Sequence, residues 1–170
     1  ESPEAWLVAK VADVLRRGGV AVLPTDTIYA IAASIEQPKA VERLYAIKGL
    51  DPKKPLSILL PNADSAGKWV RSLDTRAYRV MKRVLPGAYT FILPASSELP
   101  RVMLRERKTV GIRVPDNPIV LAVLEARGAP LIVTSVRANG DGFVNEPLKI
   151  EEQLGGIVDL VVDGGPLPDV

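Results

Sequence analysis

The stretch Gly18–Ile31 reads GGVAVLPTDTIYAI and passes from the end of a helix through a strand into a polar loop. Apolar residues recur at helical spacing over residues 5–15, and Gly18-Gly19 ends that helix. The run Val20–Leu23 is short, apolar and closed by Pro24, which is typical of a buried β-strand. A helix followed directly by a buried strand indicates the first unit of an α/β domain.

The same alternation continues to the end of the chain. Helices are predicted over residues 38–49, 63–71, 74–84, 117–127 and 147–154, and strands over 56–60, 89–93, 110–114, 131–133 and 157–162. Apolar strands that alternate with helices predict an α/β domain with a substantially buried sheet. Because no clear helix lies between Leu93 and Val110, the sheet is predicted to be mixed rather than purely parallel.

Composition narrows the chemistry that is open to the protein. The chain has 170 residues, enough for one domain with a real core, and 47% of them are hydrophobic. It contains no cysteine and no histidine, which excludes disulfides, thiolate chemistry, a Ser-His-Asp triad and the commonest zinc ligands. Any reaction must therefore rely on Lys, Arg, Asp, Glu, Ser, Thr, Tyr, backbone amides, or an ion that enters with the substrate.

Charge is unevenly distributed along the chain. Residues 39–113 contain 16 Lys and Arg against 6 Asp and Glu, whereas residues 114–170 contain 3 against 9. The basic block either forms a positive surface for nucleotide phosphates or RNA, or consists of the solvent-facing sides of helices. No apolar run approaches the ~20 residues of a membrane span, and the N-terminal ESPEAW lacks the features of a signal peptide, so a cytoplasmic protein is expected.

Two predicted strands are followed by polar residues that could bind a ligand. In the segment Pro24–Tyr29, Thr25, Asp26 and Thr27 place two hydroxyls and a carboxylate directly after a strand. They either hold the amino and carboxyl groups of a small substrate or satisfy the backbone amides of a turn. Thr134–Arg137 follows the strand 131–133, where Ser135 could donate to a phosphate and Arg137 could pair with one.

Arg113 interrupts an apolar strand, GIRVP at residues 111–115. It either occupies an edge or outward position, or it is a cation aimed into a cleft. A charge is rarely placed among buried neighbours without a partner, which favours the functional interpretation.

The loop Lys48–Ser57, KGLDPKKPLS, is either a solvated connector or an anion-binding loop. Lys48 lies at a predicted helix C-terminus, where the helix dipole also favours a cation. Lys53 and Lys54 lack that structural reason, and the prolines beside them lower the entropy lost when the lysines meet a phosphate. The chain has no GxxxxGK[ST] motif, so the loop is not a Walker A loop.

Taken in order, several segments resemble the YrdC-like family, whose best-known members are threonylcarbamoyl-AMP synthases. These segments span Gly18 to Gly165 and read GGVAVLPTDTIYAI, YAIKGLDPKKPLSILL, LPGAYTFILPAS, VGIRVPDNPI, APLIVTS and VDLVVDGG. The resemblance implies one YrdC-like domain over residues 1–170. It also implies a twisted, mixed α/β open sheet with helices packed on it and a concave, basic surface.

The resemblance further implies a reaction. Family members make threonylcarbamoyl-AMP from L-threonine, bicarbonate and ATP with Mg²⁺, release pyrophosphate and serve the modification of adenosine 37 in tRNA; some are described as binding double-stranded RNA. By match, the threonine-binding residues are Thr25, Thr27 and Tyr29, and the nucleotide-binding residues are Lys48, Lys54, Ser57, Arg113, Ser135 and Arg137. No side chain is predicted as a metal ligand; Lys48, Lys54 and Arg113 position reactants and neutralise charge.

Three departures from the synthase pattern resemble the YciO-like branch. Leu50 and Arg137 stand where the synthases usually carry Arg and Asn, and Ala30 stands where they commonly carry Gly. The chain also ends before a Ser-Thr-Val segment that normally follows the Gly-Gly turn, which is consistent with truncation at the C-terminus. Two main hypotheses stay open: a threonylcarbamoyl-AMP synthase, and a YciO-like module that binds double-stranded RNA or nucleotides. A different ligase or hydrolase that acts on a carbamoyl compound is a more remote third.

Overall fold

The computed structural model of the protein describes residues 4–48, 56–105, 107–137 and 142–168. Within them, helices and strands alternate along most of the chain. The helices are α1 (Ala5–Arg16), α2 (Pro38–Lys48), α3 (Thr75–Val84), α4 (Arg101–Leu104), α5 (Pro118–Arg127) and α6 (Pro147–Leu154), with a 3-10 helix at Ala63–Lys68. The strands are β1 (Ala21–Pro24), β2 (Tyr29–Ser34), β3 (Ser57–Leu59), β4 (Phe91–Pro94), β5 (Thr109–Arg113), β6 (Leu131–Ser135) and β7 (Leu160–Val161).

The strands form one seven-stranded sheet in the order β4-β5-β3-β6-β2-β1-β7. Two neighbouring pairs, β1 with β7 and β3 with β5, are parallel. The other neighbouring pairs are antiparallel. The predicted α/β class and the predicted mixed sheet are therefore confirmed.

Most predicted elements are present, and the main error of the sequence prediction is the strand β2. Its sequence YAIAAS is buried at every position and therefore lacks the alternation of a half-buried strand. It is also rich in alanine, which is depleted in strands. Only pairing with β1 on one side and β6 on the other makes it a strand.

Smaller differences between the predicted and observed elements lie in the basic block, residues 39–113. The helix predicted over residues 63–71 is the 3-10 helix at Ala63–Lys68, which opens with the side chain of Asn62 accepting a hydrogen bond from the Ser65 N–H. The short α4 lies in the interval where no helix was predicted. In both places the segments are too short for helical periodicity to be read from sequence.

The two faces of the sheet are covered unequally. One face packs against α2, α3 and α6, among others, through residues such as Val41, Leu44, Met81 and Ile150. On the other face, the described core takes its helical residues from α1 and α5 and contains no residue of β4 or β5. The part of this second face formed by β5 and β4 is therefore not part of that core, whereas β3 contributes Leu59 to it.

Strand register shows which residues lie on this second face. Paired residues of neighbouring strands share a face. Ser57 pairs with Val133 and with Gly111, and Gly111 pairs with Ile92. Val133 belongs to the core under α1 and α5, so the other three residues share its face. We call the side of β3, β5 and β4 that carries Ser57, Gly111 and Ile92 the open face; Ile92 there is 68% exposed.

Within the described residues, no helix is both long enough and apolar enough to cross a membrane.

Gly111→Ala tests the close packing of the open face. An added Cβ would lie 2.9 Å from the Ser57 Oγ and 3.0 Å from the Thr90 Cγ2. We expect the free energy of unfolding to fall by about 1–3 kcal/mol in urea denaturation, because the Ser57 and Thr90 side chains would have to move to make room. Gly67→Ala is the control, since a Cβ there meets no atom within 4 Å. Equal stability of Gly111→Ala and the parent would contradict the predicted clash.

Candidate functional site

Arg113 is the last residue of β5, which lies between β3 and β4 and is therefore an interior strand. Its side chain is only 14% exposed. The Nη2 group donates to Asp26 Oδ1 at 2.6 Å and to Thr27 Oγ1 at 2.8 Å. The edge or outward placement considered for Arg113 is therefore wrong, and the buried cation has an anionic partner.

One buried donor of Arg113, its Nε–H, lacks a partner in the described part of the chain. The Asp26 side chain is 12% exposed, so both charges of the pair are largely removed from water and depend on each other for compensation. The Arg113 Nε–H is buried and has no hydrogen-bond partner among the described residues. A buried donor of this kind is costly unless an acceptor is supplied. An oxygen of an anionic ligand has the right chemistry to satisfy it.

Asp26 and Thr27 belong to the tight turn between β1 and β2, which Thr25 organises. The Thr25 side chain is buried, and its hydroxyl donates to the Ile28 carbonyl at 2.6 Å. The same oxygen accepts the backbone N–H groups of Thr27 and Ile28, both at 3.1 Å. Of the two interpretations of the Pro24–Tyr29 segment, the one in which a side chain satisfies the backbone of a turn applies to Thr25. The Thr27 hydroxyl instead accepts a hydrogen bond from Arg113.

Tyr29 is fully buried at the start of β2. Its hydroxyl accepts the Gly164 N–H at 2.9 Å and donates to the Gly165 carbonyl at 2.7 Å. Burial raises the pKa of Tyr29; the Gly164 N–H opposes this rise and the Asp163 carboxylate adds to it. Tyr29 thus fastens the glycine turn after β7 to the strand that follows the Thr25 turn.

Asn145 strengthens the same link and was not predicted from the sequence. Its side chain is 6% exposed. Its Oδ1 accepts the Tyr29 N–H at 3.3 Å, and its Nδ2 donates to the Pro168 carbonyl at 3.2 Å. A single asparagine in a loop carries no sequence signal for such a role, because its partners lie far away along the chain.

Ser57 and Ser135 lie on the same side of the sheet as Arg113. Ser57 pairs with Val133 and with Gly111, and side chains two positions apart on a strand share a face. Ser135 and Arg113 are two positions beyond Val133 and Gly111, respectively. The register therefore brings three of the predicted nucleotide-binding residues to one face. Among the described residues, no group of His, Cys, Asp and Glu side chains could hold a metal ion.

Arg137 lies just beyond β6 and is exposed. Its Cζ is 5.1 Å from the centre of the Phe143 ring, a cation–π arrangement, and its carbonyl accepts from Gln153 Nε2 at 3.1 Å. The Lys48 side chain and all of Lys54 lie outside the described residues, as does Leu50. Their predicted contacts with phosphate stay predictions.

These features define a YrdC-like α/β domain. It has a mixed seven-stranded open sheet with helices on both faces, and an arginine–carboxylate pair on the side of its open face. The chain belongs to the Sua5/YciO/YrdC family, because the family model described as "Telomere recombination" matches residues 13–169.

The relatives divide into two kinds. The uncharacterized protein YciO of Escherichia coli is 38% identical to this chain over 169 residues, which are 98% of this chain and 82% of YciO. The crystal structure of E. coli YciO superimposes with a TM-score of 0.92 at 36% identity, covering 99% of this chain and 82% of that one. The family and the mixed α/β open sheet expected from the sequence, including the likeness to YciO, are thus confirmed; the concave, basic surface stays a prediction.

Relatives of the second kind are named for an activity or for a bound ligand. The threonylcarbamoyl-AMP synthase of Bacillus subtilis is 32% identical over 161 residues, which are 94% of this chain and 46% of the synthase. The crystal structure of Pyrococcus abyssi Sua5 complexed with L-threonine superimposes with a TM-score of 0.92 at 28% identity, covering 98% of this chain and 49% of Sua5. This chain therefore spans about half the length of these two relatives.

Tyr29→Phe tests the link between β2 and the glycine turn. We expect a loss of about 1–3 kcal/mol of stability near neutral pH, because the Gly164 N–H and the Gly165 carbonyl lose their partner. The pKa of Tyr29 lies above its ordinary 10.0 in the folded protein. This contribution to stability is therefore fully present below the unfolded-state pKa and is lost as the pH rises through the folded-state pKa.

Urea denaturation of the parent and of Tyr29→Phe over a range of pH measures this effect. The difference in free energy of unfolding should be constant up to about pH 9 and should shrink above it. The other tyrosines titrate in both proteins and cancel in the difference. A difference that stays constant into the alkaline range would show that the Tyr29 hydroxyl is not buried as described.

Proposed function

We propose that the protein is a threonylcarbamoyl-AMP synthase-like nucleotidyltransferase that acts in the cytoplasm. It would form L-threonylcarbamoyladenylate from L-threonine, bicarbonate and ATP, with Mg²⁺ entering on the nucleotide phosphates. The product would serve the modification of adenosine 37 in tRNA. The observation that carries the proposal is the Arg113–Asp26–Thr27 cluster on the same face as Ser57 and Ser135. It holds a buried cation whose Nε–H has no partner among the residues that the structure describes. The synthase relatives support it at the level of the family.

The reaction suits a protein without histidine. The threonine amine adds to the carbon of bicarbonate, and loss of water leaves a carbamate. A carbamate oxygen then attacks the α-phosphorus of ATP, and the bond from that phosphorus to the bridging oxygen breaks to release pyrophosphate. The protein has only to position the reactants and to neutralise negative charge.

The proposed roles follow the two predicted sets of residues. Of the predicted threonine-binding residues, Thr27 is the one already in contact with Arg113, and the two form the threonine end of the site. Thr25 and Tyr29 support this end through the turn and the start of β2. Ser57 and Ser135 supply hydroxyls toward the nucleotide, and Arg113 lies between the two ends. Lys48 and Lys54 complete this proposal as phosphate-binding cations.

Leu50 and Arg137, the residues that resemble the YciO-like branch, affect how fast the proposed reaction can be. Leu50 in place of an arginine removes a cation beside a triphosphate, which costs about 1–3 kcal/mol, or roughly ten- to a hundredfold. Arg137 is the proposed replacement for that charge. It is exposed and lies over the Phe143 ring, so its guanidinium is partly ordered before any ligand binds.

The direct test supplies L-threonine, bicarbonate, Mg²⁺ and ATP and measures pyrophosphate and threonylcarbamoyl-AMP. We expect threonine-dependent pyrophosphate from the parent and at least a roughly tenfold lower kcat/KM for Arg113→Gln, because the cation in the site is lost. Arg76→Gln is the matched control, since Arg76 is exposed on α3. The absence of threonine-dependent pyrophosphate from the parent would refute the proposed function.

A second candidate is a YciO-like module that binds double-stranded RNA or tRNA with weak or no synthase activity. One observation favours it: the helix α3 exposes Arg76, Arg79 and Arg83, which line one recess on its outer side. Arginines at this spacing lie on one side of a helix and can contact successive phosphates. A folded domain can also keep a family's architecture without its activity.

Duplex RNA binding tests this candidate. We expect the affinity to fall steeply as salt rises and the salt dependence to weaken when Arg76, Arg79 and Arg83 are replaced together by Gln, because fewer counterions are released. Fluorescence anisotropy with a labelled duplex at several salt concentrations measures both effects. Binding that is absent, or that does not respond to salt, would exclude this candidate.

A further inference from the structure

We propose that Thr25 and Asp26 are positioning residues for Arg113 and do not themselves contact the substrate. Thr25 holds the turn between β1 and β2, and Asp26 holds the guanidinium of Arg113, which then presents its free Nε–H to an anionic group of the substrate. The proposal deepens the proposed function and names the residues that prepare its site.

The first step concerns the capacity of the Thr25 hydroxyl. A hydroxyl has one donor and can accept at two lone pairs. The Thr25 hydroxyl donates to the Ile28 carbonyl and accepts from the N–H groups of Thr27 and Ile28. The Thr27 hydroxyl lies 3.2 Å from the same oxygen as a further contact. All three positions are therefore used within the turn, and the residue is 2% exposed. A ligand could bind this hydroxyl only by breaking the turn.

The second step concerns what the turn carries. Asp26 Oδ1 and Thr27 Oγ1 both accept from Nη2 of Arg113, at 2.6 and 2.8 Å. Nη2 has two N–H bonds, so these two acceptors are enough to use both. Because the two acceptors are consecutive residues of a turn that Thr25 holds, the orientation of the guanidinium depends on the shape of that turn.

The third step concerns the Nε–H group of Arg113, which the turn does not bind. Its Nε–H is buried without a partner in the described part of the chain. A guanidinium is planar and rigid, so fixing Nη2 also fixes the direction of the Nε–H bond. With Asp26 on one side, the free donor can meet a second anion in a predetermined orientation. Pre-orientation of this kind lowers the entropy lost on binding.

The alternative is that Asp26 itself binds the substrate, for example its ammonium group. The two roles differ in a measurable way. A residue that acts through Arg113 has no further effect once Arg113 is gone, whereas a residue with its own substrate contact has an independent effect.

The first experiment measures the guanidinium directly. NMR of the Arg113 ¹⁵Nε–H group, assigned by its loss in Arg113→Lys, reports rotation and hydrogen exchange of the side chain. We expect slow rotation in the parent and in Thr25→Ser, and at least roughly tenfold faster rotation in Thr25→Val and Asp26→Asn. Thr25→Val loses the hydrogen bonds that hold the turn, and Asp26→Asn loses the charge of the acceptor that holds the guanidinium. Asp116→Asn, at an exposed carboxylate, is the matched control and should behave like the parent.

The second experiment is a double-mutant cycle on L-threonine binding measured by calorimetry. Asp26→Asn and Arg113→Gln should each weaken binding about tenfold or more, and the double variant should be no more than about threefold weaker than Arg113→Gln alone. Additive losses would overturn the proposal in favour of direct contact by Asp26. An unchanged Arg113 signal in both Thr25→Val and Asp26→Asn would also overturn it.

The outcomes separate this proposal from the proposed function. If the parent produces no threonine-dependent pyrophosphate but the Arg113 signal responds to Thr25 and Asp26 as expected, the synthase function fails and the positioning role stands. Should Thr25→Val not fold, Asp26→Asn and Thr25→Ser still decide the NMR experiment. Their backbone spectra show whether the fold is retained.

Discussion

The ion pair between Arg113 and Asp26 is the contact on which the arrangement of the site depends. It joins residues 87 positions apart, one at the end of β5 and the other in the turn between β1 and β2. In the sheet, β3 and β6 separate β5 from β2, which would be about 14 Å in a flat sheet, more than an arginine side chain spans. The contact therefore requires the turn between β1 and β2 to fold over the face of the sheet toward β5. Burial of both partners makes the loss of either one costly.

A second set of buried polar contacts holds the end of the described chain to the same region. The Tyr29 hydroxyl bonds Gly164 and Gly165, and the Asn145 side chain joins the Tyr29 N–H to the Pro168 carbonyl. Close packing supports this link, since a Cβ on Gly164 would lie 2.7 Å from the Pro24 Cγ. Residues 164–168 thus form part of the frame that surrounds the turn. A polar network that is fully satisfied is rigid, which suits a site that must hold its groups in place.

The chemistry available to the protein follows from what surrounds Arg113. Without histidine or cysteine, the chain can offer cations, hydroxyls and backbone amides, which stabilise and orient negatively charged reactants. The two kinds of relatives share this fold, one without a named activity and one named for the synthesis of threonylcarbamoyl-AMP. Fold alone does not decide between the two.

The sequence by itself determined the α/β class, the mixed sheet, most helices and the family, because hydrophobic periodicity and turn residues act locally and the motifs occur in a characteristic order. It also indicated that Arg113 needs a partner. The partner itself, the strand β2 and the role of Asn145 were decided only by the tertiary structure, since each depends on pairing between distant segments. The Thr25 hydroxyl shows the same limit. The residues around Thr25 fit a ligand contact and a turn equally well. Only the hydrogen bonds of its hydroxyl within the fold show that it holds the turn.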